Sequence, residues 1–138
     1  MKTLKTISPT ESYVLDVPSD AHEDVDERVS SYWLDGNSLL QISSYVRVAG
    51  PQVSAVQRLK DRLADERFPT VNYETISFIS CPETAAASGV DEAGCRWVFV
   101  YGVWPDLAIL ATISGPPDEM EKRAAWAFDA IRTLRRSL

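Results

Sequence analysis

The chain has 138 residues, 45% hydrophobic and 25% charged, with 14 Lys and Arg against 20 Asp and Glu for a net charge of −6. That length predicts one globular domain over 1–138 whose core needs no metal or disulfide staple, and the apolar content excludes a disordered chain. The acidic balance argues against a nucleic-acid partner, which demands Lys and Arg gathered on one face.

Residues 13–17 (YVLDV) read as a short strand that Pro18 stops, because proline donates nothing to a ladder. The next stretch, 16–27, holds six acids and no Lys or Arg and reads as a solvated acidic loop carrying His22. Strands follow at 29–34 and 38–48, joined by Asp35, Gly36 and Asn37, which tolerate the positive φ of a hairpin turn. In the second arm Leu40, Ile42, Val46 and Val48 alternate with Gln41, Ser43 and Arg47, the period of a half-buried strand.

After Gly50 and Pro51 the period changes. Over 52–66, Val56, Leu59 and Leu63 recur at helical spacing while Arg58, Asp61, Arg62 and Asp65 face away, so an amphipathic helix is expected. Residues 70–81 are rich in β-branched and aromatic side chains and read as a strand. The alanine-rich 83–90 favours helix by composition but is too short for a stable isolated one. It reads instead as a strand, closed by 91–94 into a hairpin with 95–104. The last strand, 107–114, follows the Pro105–Asp106 corner. A closing helix over 117–136 begins with prolines and acids and ends with Arg132, Arg135 and Arg136, matching the macrodipole at both poles.

Tight hairpins predict a mainly antiparallel sheet. In 95–104, Trp97, Phe99, Tyr101 and Val103 point one way, and Val98, Val100 and Trp104 the other. A strand apolar on both faces belongs between two layers. The expectation is an α+β fold, a three-layer α/β/α sandwich with a sheet of six or seven strands and helices at 52–66 and 117–136.

The short strand YVLDVP (13–18), the segment SLLQISSYV (38–46) and the strand-plus-helix close over 97–138 resemble, in element order, the Mog1/PsbP-like fold. The resemblance spans nearly the whole chain and implies the α/β/α architecture. Its members include partner-binding, photosystem-associated and bacterial proteins, and it implies no catalytic residue at any position here. The export signal of several bacterial members is not evident.

Chemistry is sparse. His22 is the sole histidine, which excludes multi-histidine metal sites and leaves any Ser-His-Asp arrangement dependent on it. Counted from Asp20, the sixth and twelfth positions of an EF-hand loop fall on Val25 and Ser31, so the motif fails. Cys81 and Cys95 form no CxxC, and no phosphate-binding glycine loop or nucleophile elbow occurs. No catalytic residue, metal or cofactor is therefore assigned. The N-terminal sequence lacks a secretory apolar run, and no stretch approaches the roughly 20 apolar residues of a membrane span. A cytoplasmic protein with reduced thiols, engaging neither membrane nor nucleic acid, is expected.

Aromatic residues at strand ends and helix edges remain. Trp33 beside the 35–37 turn, Trp104 at a strand end and Trp126 at the edge of the closing helix's apolar stripe are the candidate partner-binding residues, since Trp is enriched at hot spots. The expected function is a non-catalytic accessory module that binds another protein through a surface patch, as a monomer or homodimer. The alternative is a small-ligand binder or carboxylate-dependent enzyme with a pocket between sheet and helix.

Overall fold

The computed structural model describes residues 3–25, 29–33, 39–46, 53–66, 70–116 and 125–137. Two strands, β1 (Leu4–Thr10) and β2 (Tyr13–Pro18), precede a first meander of β3 (His22–Val25), β4 (Val29–Trp33) and β5 (Leu39–Val46). Helix α1 (Ala55–Glu66) leads to a second meander of β6 (Thr70–Glu74), β7 (Glu83–Val90), β8 (Arg96–Val103) and β9 (Leu107–Gly115). Helix α2 (Ala125–Thr133) and the two-residue β10 (Arg135–Arg136) close the chain.

Seven strands form one sheet in the order β3-β4-β5-β9-β8-β7-β6, and the other three form a small sheet, β1-β2-β10. Every pairing between these strands is antiparallel. The two meanders meet at β5 and β9, so α1 carries the chain from the middle of the sheet to its far edge. The second meander then returns strand by strand. This path lays α1 over β7 and β8.

The α+β expectation holds, with a layer packed on each face of the large sheet. On one face Ala55 and Leu59 of α1 pack with Ala87, Phe99, Tyr101 and Leu110. On the other, Leu15 and Val17 of β2 and Ile131 of α2 pack with Leu40, Val100 and Ile109. Phe99 and Val100, neighbours on β8, are both fully buried, one under each layer. The alanines of β7 form a strand as expected. Ala85 and Ala87 face α1, and their small side chains let the helix lie close to the sheet.

Several expectations are corrected. The strand at 13–18 lies in the small sheet, where β2 pairs with β1 and β10, and not in the large one. Its place there is taken by β3, formed inside the expected acidic loop. Cross-strand pairing with β4 orders His22 to Val25 although all four side chains are exposed. The strand expected over 70–81 ends at Glu74, because Ile76 and Phe78 turn down into the core and Ser80 takes a positive φ of 56°. Helix α2 stops at Thr133, whose hydroxyl donates to Ala130 O at 2.7 Å and accepts from the Asp16 N–H at 2.8 Å. Arg135 and Arg136 accordingly leave the helix and pair with β2. Expected features at 26–28, 34–38, 47–52, 117–124 and 138 lie outside the described residues.

Helix α1 keeps Leu59 and Leu63 on the core side as expected, but its first turn departs from expectation. Ala55 and Leu59 are buried and Val56 is exposed. Its first turn is tied at Ser54, whose hydroxyl accepts the Gln57 N–H at 3.1 Å, the bond of an N-cap. The Ala55 N–H donates to the Glu83 carboxylate on β7, fixing the helix N-terminus to the sheet with a favourable charge.

Candidate functional site

The crossover that places α1 over β7 and β8 leaves the β3-β4-β5 flank of the same face beyond the helix. Strand alternation and register decide what is presented there. One row across the sheet runs His22, Trp33, Leu39, Ser114, Trp97. The next runs Asp24, Ser31, Gln41, Thr112, Phe99. The second row is polar toward the flank and aromatic under the helix. Gln41 Nε2 donates to Ser31 Oγ at 3.4 Å within this floor.

Aromatics bound the floor at both ends of β5. Trp33 is 37% exposed and stacks on His22 with ring centroids 5.8 Å apart. His22 therefore sits on a strand against an indole, not on a loop. At the other end Tyr45 is 47% exposed, with the Arg58 guanidinium 5.9 Å from its ring centroid. One turn along α1, Arg62 stands 5.4 Å from the centroid of Phe99. Burial pushes the Tyr101 phenol up, while the charges of Arg62 and Arg58 draw it back down. A seam of two arginines and two tyrosines thus runs along the helix edge. The sequence pattern places Arg58 and Arg62 toward solvent, whereas both guanidinium groups lie over rings of the sheet.

The three candidate tryptophans are not brought together. Trp104 is only 7% exposed: it stacks on Phe78 at 6.3 Å and lies under Arg136 at 5.7 Å, which is itself bound to Asp106 at 2.8 Å. It is a core residue, buried because the irregular segment after β6 folds over the β8–β9 corner. Trp126 is half-buried and packs against the same core. Trp33 alone of the three is exposed on a sheet face.

The remaining chemistry is dispersed. Among the described residues no three of His, Cys, Asp and Glu gather to hold a metal ion. Both cysteines are unbridged, and burial pushes the Cys81 thiol up, away from the low values of reactive thiolates. Among the described residues no helix is long and apolar enough to cross a membrane.

These elements define an antiparallel α+β sandwich with one half-covered sheet face. No protein-family model and no curated protein matches the chain. It is similar in fold to a crystal structure from Bacteroides thetaiotaomicron determined at 1.50 Å resolution, with a TM-score of 0.67 and 20% identity. That match covers 100% of this chain and 50% of the other, so this chain spans half the length of its neighbour.

Proposed function

We propose that the chain is a non-catalytic binding module that docks another protein on the sheet flank beyond α1, centred on Trp33. One observation carries this reading: an indole braced by a stacked imidazole stands exposed above a floor of polar side chains. Rigid aromatics of this kind supply contact area at low entropic cost. Asp24 lies on the same face one row away. The complementary partner surface is therefore apolar at its centre and basic at its rim. The two unbridged cysteines support a reducing, cytoplasmic setting. Element order supports kinship with the Mog1/PsbP-like fold.

The test is capture from a lysate of the organism of origin on immobilised wild type, Trp33→Ala and Tyr73→Ala. The expected result is one protein retained by wild type and Tyr73→Ala and lost with Trp33→Ala. Equal retention by Trp33→Ala would overturn the reading.

A second reading has its own observation, the Arg58–Arg62 seam against Tyr45 and Phe99. It suits a small anionic aromatic ligand lying between helix and sheet. Saturable stabilisation by such a ligand, abolished in Arg62→Gln, is the result that would favour it.

A further inference from the structure

We infer that the β6 edge of the large sheet is a self-pairing surface, through which two copies of this chain join antiparallel into a continuous fourteen-stranded sheet. This goes beyond the binding reading above and uses the opposite edge of the sheet.

Among the described residues there are three other strand edges, and each carries a feature that opposes pairing with a second copy. Strand β3 presents Glu23 and Asp24, so an antiparallel self-pairing would set carboxylates against carboxylates. Strand β1 carries Pro9 and a register shift between Ile7 and Thr10, and β10 is two residues long. Charge, proline, irregularity and shortness are the usual devices that blunt an edge.

Strand β6, five residues long, contains no proline and pairs with β7 without a register shift. Val71, Asn72 and Tyr73 are uncharged, and Tyr73 is 67% exposed. The one acid, Glu74, is engaged inside its own sheet: Ser88 Oγ donates to it at 2.7 Å and Arg96 lies at 3.6 Å. Beyond its ladder with β7, no residue of 71–74 has a backbone partner among the described residues.

A two-fold axis through Asn72 sets Tyr73 opposite Val71 of the second copy, twice. An aromatic beside a β-branched residue is a favourable cross-strand pair. The second copy is the fitting occupant because the edge is neutral and self-complementary on a chain of net charge −6, whose other edges exclude it. The contact closes at two copies, since the acidic β3 edges left outside cannot pair further. The two Trp33 surfaces, each one strand in from an outer edge, then lie roughly 50 Å apart at about 4.8 Å per strand. The dimer would thus be bivalent toward its partner.

Five-residue strands bury little area against the ~800 Å² per partner of a stable complex, so the dimer is weak and concentration-dependent. Sedimentation equilibrium on the full chain from about 1 µM to 1 mM tests it, with amide exchange read at both ends of that range. Wild type is expected to shift from monomer to dimer, with outward amides of β6 gaining protection. Added salt should strengthen the dimer by screening the net charge. Val71→Lys with Tyr73→Lys should weaken it at least tenfold while leaving the thermal melt of the monomer unchanged. If that variant fails to fold, the concentration-dependent protection of β6 in wild type decides alone. A wild type that stays monomeric, a dimer that survives the double lysine variant, or a dimer lost in Trp33→Ala instead would each overturn the inference.

Discussion

Truncating Phe99 and Val100 separately probes the two layers of the sandwich with adjacent residues. Phe99 lies under α1 with Arg62 above its ring, and Val100 faces β2 and α2; both are fully buried. Phe99→Ala should cost about 3–5 kcal/mol, transfer and cavity terms together. Val100→Ala removes two methyl groups at about 0.8 kcal/mol each, and the cavity brings the loss to about 2 kcal/mol. Against a native stability of about 5–15 kcal/mol both are measurable, and the first takes a large share. In urea, with a slope of about 2 kcal/mol/M, the midpoints should fall by roughly 2 M and 1 M. A change within about 0.5 kcal/mol at either position is what a solvent-facing site gives, and it would remove the corresponding layer.

Three further outcomes are expected. Val56→Ala should be neutral or slightly stabilising, because Val56 is exposed and alanine is the better helix former; a loss above 1 kcal/mol would return Val56 to the core. Gly102→Ala should cost about 1–3 kcal/mol by overpacking, since the added Cβ would collide with the ring of Phe78, which is itself stacked on Trp104; trimming Phe78 to leucine in the same chain should recover part of the loss. Asp91 accepts the Trp97 indole N–H at 2.7 Å and the Ala93 and Cys95 N–H groups, which hold its carboxyl below the ordinary range. Its stabilisation is present above the unfolded pKa of about 4 and lost as pH falls through the lower folded value. Asp91→Asn should therefore flatten the acid limb of melting temperature against pH, and an unchanged limb would contradict the assignment.

The sandwich was legible because β8 and β9 are apolar at both alternations, and only a strand covered twice has that pattern. The hairpin at 91–94 was legible from local chemistry: Gly94 takes a φ of 86° where a left-handed residue must follow the turn. The small sheet was not legible. Strand β1 is polar and interrupted by Pro9, and what orders it is the ladder with β2, a partner that local pattern does not reveal. For the same reason β3 read as a loop, its acids contributing nothing to a core signal. The site was half legible. Trp33 stood out by type and position, but Trp104 looked equally promising until the segment after β6 covered it. Arg58 and Arg62 were hidden because a helix on a wide sheet has long side chains at its flanks that reach back over neighbouring strands.

The docking role of the flank beyond α1 is tested most directly by placing the photoreactive residue p-azidophenylalanine at Trp33, and separately at Tyr73, in the organism of origin. Irradiation should join the probe at position 33 to one other protein, and the probe at position 73 to a second copy of this chain. The same foreign adduct from position 73, with none from position 33, would contradict the assignment of this face.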